Sequence, residues 1–457
     1  PVFRPYPDPL ARALAAEPIP AHGATLEAVL DDFDQQVTPY PFGNGHPRFF
    51  AWVNSPPHVL GVFAEALAAA MNPSVAGGNH AAVHIERQVV RWFADLVEFP
   101  DDSTGLFVSG GSMATLTAFT VARHRAAQRA GIDVRSDGLQ GDRRRFVLYL
   151  GTEAHGSARK AAELLGIGSA NIHTIASDDH YRMRTDLLQG QIAHDLGEGL
   201  VPVAVMASAG TVNTGAIDPL DEIADICAQH GVWLHVDGSY GGPAVLLLAR
   251  YAQTRAALTR VDSIAMDPHK WLYVPVDAGL ILIRDKQLAR DAFSLVPPYL
   301  RTDDDPAGVG GPVWFSEYGF DQTRPFRALK VWLMLKHLGV VGYRDLITHD
   351  IAVADRLAAA VTAAPDLELL ARGLSVVCFR CRPAGWNGDD EAFDAVNRQV
   401  LSAVQLGGGS FLAGTSVNGV FALRACVVNP GSSATDADAV VADVRARLSQ
   451  LTESGPR

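Results

Sequence analysis

Apolar residues along the chain fall into short, mostly apolar runs separated by longer periodic stretches. The runs Leu106–Val108, Phe146–Leu150, Val203–Met206, 232–236, 262–266 and Ala278–Arg284 are each bounded by turn residues. Their length and lack of alternation predict strands buried on both faces. Between them the period changes. Ala82, Ile85, Val89, Trp92 and Leu96 recur at three- and four-residue spacing and predict an amphipathic helix over 81–99. A long helix is predicted over 113–129. Asp218-Pro219 predicts another, with Asp as N-cap, Pro at the first helical position and a stop before Gly231. Alternation of strand and helix from 106 to 284 predicts an α/β domain with a mostly parallel sheet and helices on both faces.

The flanks read differently. Residues 1–45 are rich in Pro and Ala, with one helix candidate at 24–36, and read as an arm. From about residue 340, helix candidates (344–363, 390–405, 435–451) alternate with strand-like runs (374–382, 420–427), which predicts a smaller α+β domain. The expected organisation is an N-terminal arm and helical segment (1–68), a large central domain (69–335) and a small C-terminal domain (336–457).

Composition narrows the function classes. At 457 residues, 48% hydrophobic and 19% charged, the chain is an ordinary globular protein with a large core. A net charge of −12 argues against a nucleic-acid role. No apolar run approaches the roughly 20 residues that span a bilayer. The opening Pro-Val-Phe-Arg-Pro-Tyr-Pro has no signal-peptide core. Four cysteines suit a reducing cytoplasm. Cys378 and Cys381 lie three apart in a strand-like run, so they are expected on opposite faces, which argues against a redox or metal pair. No metal site is expected. Neither a GxGxxG dinucleotide signature nor a P-loop is present.

Candidate chemistry concentrates at 232–272. Two predicted strands there end in carboxylates, Asp237 and Asp267, and three residues past the second comes Lys270, flanked by His269 and Trp271. In open α/β sheets ligands bind at the carboxyl ends of strands. A lysine held in such a crevice can lose its proton and form a Schiff base with a carbonyl. A facing aspartate suits a pyridinium nitrogen, as pyridoxal phosphate (PLP) requires. Taken singly, either residue type also serves as a cap or a surface charge; the combination is more specific. Ser109-Gly110-Gly111-Ser112, placed between a strand and a long helix, offers small residues and free N–H groups to an anion, although such residues also build ordinary loops.

The stretches His-Val-Asp-Gly-Ser-Tyr-Gly-Gly (235–242) and Asp-Pro-His-Lys-Trp-Leu (267–272) resemble the PLP-dependent group II amino-acid decarboxylases, the family of aromatic-L-amino-acid and glutamate decarboxylases. The likeness extends from about His46 to Arg424. It implies PLP fold type I, with Lys270 holding the cofactor, Asp237 on its ring nitrogen, and His155 of Glu153-Ala-His155 stacked on the ring. It also implies a phosphate cradle at Gly111 and Ser112, and cofactor contacts from Thr211, Ser263 and His269. Val212 stands where the family often has a second threonine. Thr323 and Arg324 are implied to reach the phosphate of the other subunit. Trp52 and Asn54, after the His46-Pro-Arg-Phe-Phe element, are candidates for the substrate pocket together with Ser74 and His80. Tyr299, in a Pro-x-Tyr-Leu element heading a catalytic loop over the neighbouring subunit's site, is implied to protonate the α-carbon once carbon dioxide leaves. A homodimer with shared active sites follows from that loop.

The implied activity is decarboxylation of an L-amino acid to its amine, with an aromatic substrate as first choice. Trp52, Val53, Ser74 and Ser239 depart from the aromatic pattern, which leaves a larger or more polar amino acid open. Rival readings keep the fold and change the outcome: decarboxylation-coupled oxidative deamination to an aldehyde, transamination, carbon–carbon cleavage, or a non-catalytic PLP-binding scaffold.

Overall fold

The computed structural model describes residues 1–140, 144–295, 308–382 and 390–453. It contains two compact units, one of residues 57–348 and one that joins residues 1–56 to 349–457. Boundaries were expected after 68 and 335; the compact units change at 56/57 and 348/349.

The larger unit is built on seven strands: β1 (Thr104–Val108), β2 (Phe146–Gly151), β3 (Ile172–Ile175), β4 (Val201–Ser208), β5 (Trp233–Asp237), β6 (Ser263–Met266) and β7 (Gly279–Ile283). Their order across the sheet is β1-β7-β6-β5-β4-β2-β3. β7 is antiparallel to both of its neighbours, and the remaining pairs are parallel. Six strands therefore run one way, and their carboxyl ends share one edge of the sheet. Register aligns that edge: Ser208 of β4 faces Asp237 of β5, which faces Ala265 of β6. Every residue of β1, β6 and β7 is buried, as their mostly apolar runs predict. β3 was not foreseen; its Ile-His-Thr-Ile is only partly buried and lies at the sheet's edge.

β1 is the opposite edge, and its outward backbone groups need partners. They find them in side chains. The Phe107 N–H donates to Glu86 Oε1 at 3.0 Å, and the Phe107 carbonyl accepts from Arg324 at 2.7 Å. Glu86 and Arg324 are themselves an ion pair, 0% and 1% exposed. Arg324 also donates to the Val75 carbonyl at 2.8 Å. This corrects the expectation for Arg324: its guanidinium is buried and committed to Glu86 and two carbonyls, so it is neither a phosphate ligand nor a surface charge.

The Asp218 cap is corrected as well. Its carboxylate accepts the Met183 and Ser208 N–H groups, each at 2.7 Å, and Pro219 is the residue that precedes the helix Leu220–His230. Asp218 thus ties the end of β4 to the segment before the next helix.

The other unit carries an antiparallel sheet of β8 (Leu367–Gly373), β9 (Val376–Cys381), β10 (Ala413–Val417) and β11 (Val420–Cys426), ordered β10-β11-β9-β8. Phe50, Leu357, Val377, Phe379, Val400 and Leu423 share its core. The N-terminal arm enters through Phe50, whose N–H donates to the Phe411 carbonyl and whose carbonyl accepts the Cys426 N–H, both at 2.8 Å. All four cysteines are free and buried. Among the described residues, no helix is long and apolar enough to cross a membrane.

Candidate active site

The chemistry gathers where the parallel strands end. After β6 the chain turns at once into a single helical turn, Pro268–Trp271, which begins with Pro where no N–H is required. That turn puts residues three apart on one face. Lys270 Nζ lies 2.8 Å from Asp267 Oδ2, and His269 Nε2 lies 3.8 Å from the same oxygen. Asp267 is 2% exposed, and among the described residues its second oxygen, Oδ1, has no hydrogen-bond partner. The His269 ring is held from its other side, with Nδ1 2.8 Å from the Ala278 carbonyl oxygen. Burial pulls the His269 pKa down, opposed by Asp267, so the ring is neutral near pH 7.

On β5, Asp237 Oδ1 accepts the Ser239 N–H at 3.0 Å. Burial works to raise its carboxyl, but the Lys270 ammonium, hydrogen bonding from Ser239 and the His235 imidazole outweigh it and hold the group below its ordinary value. Asp237 is therefore an anion at the strand ends, close enough to Lys270 to feel its charge.

The helix Gly111–Arg129 starts directly after β1 and aims its N-terminus at this cluster. No side chain caps it. A Cβ at Gly111 would lie 2.3 Å from Ser239 Oγ and 3.1 Å from Asp267 Oδ2, and one at Gly110 would lie 3.4 Å from His269. At 111 only a residue without a side chain allows this approach, whereas a Cβ at 110 would make an ordinary contact. One at Gly279 would strike the Gly110 backbone at 2.4 Å, so β7 also presses against the loop. Lysine, two carboxylates and an uncapped helix N-terminus are thus brought together by three strands and one helix.

The other candidates are placed as follows. His155 precedes the helix Ser157–Leu164 at the end of β2 and is exposed. Its Nδ1 accepts the Ser157 N–H at 3.2 Å and is 2.7 Å from the Ser157 hydroxyl, which leaves the ring proton on Nε2. Thr211 is buried in the loop after β4, where its hydroxyl meets Thr214 at 2.9 Å and accepts the Ala216 N–H. Thr323 and Ser74 are exposed, and His80 Nε2 lies 3.2 Å from the Gly77 carbonyl. Trp52 and Asn54 belong to the other unit, where Trp52 stacks on Phe42. Tyr299 lies outside the described residues. Ser263 is not brought to the strand ends. It starts β6, and its hydroxyl accepts from Trp233 Nε1 at 2.8 Å and is 2.9 Å from His235 Nδ1. Four residues along a strand span about 13 Å, so Ser263 sits inside the sheet, away from Asp267.

Two groups escaped the sequence reading. Asp267 stood out as a strand-end carboxylate without a role, although its position three before Lys270 on a helical turn was the available signal. Glu153, two before His155, is the second. Burial raises its carboxyl, a hydrogen bond with Asn213 works against that, and its Oε2 is buried without a partner.

A six-plus-one sheet with a lysine on a turn after one strand, an aspartate closing the next and a glycine-opened helix facing both defines a pyridoxal-phosphate enzyme of the large α/β class. The residues fit that cofactor: an amine for its aldehyde, an anion for its ring nitrogen, and free N–H groups behind glycines for its phosphate. A family model for the pyridoxal-dependent decarboxylase conserved domain matches residues 7–382. The chain is 34% identical to an aromatic-L-amino-acid decarboxylase of Bacillus atrophaeus, over all of this chain and 92% of that one. It is 33% identical to an L-2,4-diaminobutyrate decarboxylase of Rhizobium meliloti, over 91% of this chain and 81% of that one. Among solved structures, Oryza sativa TDC with PLP and tryptamine superposes with a TM-score of 0.90 at 27% identity, covering 99% of this chain and 93% of the other. The chain belongs to the pyridoxal-dependent decarboxylases. It is a PLP-dependent carboxy-lyase acting on an amino acid.

Proposed function

We propose that the substrate is an aromatic L-amino acid, converted to its amine by a homodimer with shared active sites. The observation that carries the site assignment is the cluster of Lys270, Asp267 and Asp237 against the uncapped Gly110-Gly111 turn. In this reading Lys270 holds the cofactor and the Gly111–Ser112 turn holds its phosphate. Asp237, kept anionic by its neighbours, holds a proton on the ring nitrogen. When bound, PLP supplies the sink for the electrons of the Cα–carboxylate bond. His155, with its proton on Nε2, faces the substrate carboxylate as a donor, and Tyr299 returns a proton to Cα. Thr323 serves the partner's site from an exposed turn.

The aromatic choice is supported by the Bacillus atrophaeus relative. A polar, amine-bearing substrate is the second reading. Ser74 and Ser239 stand where larger or apolar residues are usual for aromatic substrates, and the diaminobutyrate relative is nearly as similar. Assembly is supported by exposed apolar side chains on the helices Leu26–Gln36 (Leu26, Val29, Leu30, Phe33) and Val59–Met71 (Val59, Phe63). Sedimentation at assay concentration tests it, and a fully active monomer overturns it. A cytoplasmic setting is part of the proposal, supported by four reduced, buried thiols.

The deciding experiment measures product per carbon dioxide released, over a panel of aromatic and diamino acids, for wild type and Tyr299→Phe. Wild type is expected to give one amine per carbon dioxide. The variant is expected to keep releasing carbon dioxide while amine falls and aldehyde, ammonia and peroxide rise. A wild-type protein yielding mainly aldehyde and peroxide places the chain with the oxidative alternative.

A further inference from the structure

We propose that Asp267 is a positioning residue that holds Lys270 as an ammonium in the cofactor-free chain, and so sets the pH range in which the cofactor is taken up. The inference rests on the reading that Lys270 is the attachment point.

Three observations carry it. Asp267 is 2% exposed, and its Oδ2 is 2.8 Å from Lys270 Nζ. Its Oδ1 is buried without a hydrogen-bond partner among the described residues, so the carboxylate's stabilisation leans on Lys270 and on the helix N-terminus beside it. A Cβ at Gly111 would lie 3.1 Å from Asp267 Oδ2, behind Ser239 Oγ at 2.3 Å, so the carboxylate stands beside the helix N-terminus that a phosphate requires. A buried anion against a lysine favours the charged lysine. Attachment needs the uncharged one. Lys270 must first give its ammonium proton to solvent; its nitrogen lone pair would then form the bond to the aldehyde carbon as the carbon–oxygen bond breaks, the oxygen departing as water with the two amine protons. Nothing is oxidised or reduced.

The charged groups facing Lys270 come from both adjoining strand ends. Asp237 on β5 acts on it directly, with His235 behind. On its own turn Asp267 and His269 adjoin it, and His269 is in turn influenced by Asp277, which is paired to Arg327. The glycine turn contributes no ionisable side chain. Asp237 has its own partners in Ser239 and His235, whereas Asp267 is paired to Lys270 within 2.8 Å, so replacing Asp267 takes the paired anion from the amine and leaves Asp237 acting on it.

The test follows uptake of PLP by cofactor-free protein, as growth of the visible absorbance band across pH, with inorganic phosphate as competitor. Wild type and Asp267→Asn are compared, with Asp267→Ala as a second variant. Removing an opposite charge at this distance is expected to move the midpoint of the rate–pH profile down by about one to three units. At a pH below both midpoints, uptake is then about tenfold faster or more. Phosphate is expected to compete better against the variants, because a like charge has left the surroundings of the helix N-terminus. Folded variants with the wild-type midpoint and wild-type phosphate competition overturn the proposal. Competitive acylation of cofactor-free wild type provides a reading without substitution. The Lys270 midpoint is expected at or above those of the exposed Lys160 and Lys286, and a lower one overturns the proposal. Borohydride trapping followed by peptide mapping separates the two levels. Label on another lysine removes the attachment reading itself, whereas label on Lys270 with an unchanged profile removes only the role of Asp267.

Discussion

The pair Glu86–Arg324 offers the sharpest test of how the site is held. Arg324→Met removes a guanidinium that is 1% exposed and leaves the Glu86 carboxylate, 0% exposed, without its cation. Breaking a buried pair from one side costs about 3–5 kcal/mol, because the remaining charge stays buried. The Val75 and Phe107 carbonyls lose their donors at the same time, and an orphaned buried acceptor costs about 1–3 kcal/mol. A loss of at least about 3 kcal/mol is therefore expected for the single variant. The double variant Glu86→Leu/Arg324→Met buries no charge. It should be less destabilised than the sum of the two single changes by about 1–3 kcal/mol, as expected for residues in one network.

Urea unfolding of the cofactor-free chain at fixed concentration measures the stability differences. Hydrogen exchange of the β1 segment localises them. The Phe107 amide donates to Glu86 and not to a strand, so its protection is expected to fall most in the Glu86 variants. Because β1 leads straight into Ser109-Gly110, weaker cofactor affinity is expected to accompany the loss. An Arg324→Met protein with the wild-type urea midpoint and a protected Phe107 amide would refute the reasoning, since the edge strand would then be held by something else.

Three further outcomes are expected. Burial of His235, against the smaller opposing pull of Asp237, lowers its folded pKa below the ordinary value. The unfolded chain then binds the extra proton, so stability from this group is complete above about pH 6.5 and is lost as pH falls towards the lowered folded value, by at most about 1.4 kcal/mol per unit; urea midpoints across that window should fall less steeply in His235→Gln. Burial pushes the Cys381 thiol up to about 12 and raises Cys227 as well, so a thiol reagent should count almost no cysteine in the native protein and four after denaturation. Gly279→Ala should lower both thermal stability and PLP affinity, because the added carbon meets the Gly110 backbone at 2.4 Å with no rotamer to relieve it; an unchanged melting temperature and an unchanged dissociation constant would count against the close packing of β7 on the glycine turn.

What was legible in the chain is what local spacing encodes. Buried strands announced themselves as short, mostly apolar runs, and the positions of Asp237 at a strand end and of Lys270 just past one follow from counting residues along those runs. The glycine turn before the helix Gly111–Arg129 was visible as small residues between an apolar run and a long helix, although such residues also build ordinary loops. Arg324 was misread for a physical reason: its meaning lies in a carboxylate 238 residues earlier, and an arginine beside a proline turn looks alike whether it is destined for solvent or for a buried pair. Asp218 failed in the same way, since an Asp-Pro step carries the signature of a cap while the Met183 N–H that claims its carboxylate comes from 35 residues upstream. Ser263 shows the opposite error. It stands next to the site motif in sequence, yet a strand carries the chain away from its own ends at about 3.3 Å per residue, so nearness in number along β6 meant distance from the chemistry. Asp267, at three residues from Lys270, is near in number as well, but a helical turn lies between them and folds the two side chains onto one face. The same small separation therefore excludes one residue from the site and admits the other. The element between them decides which, and that is why the carboxylate beside the lysine, more than the serine within the strand, is the one to mutate first.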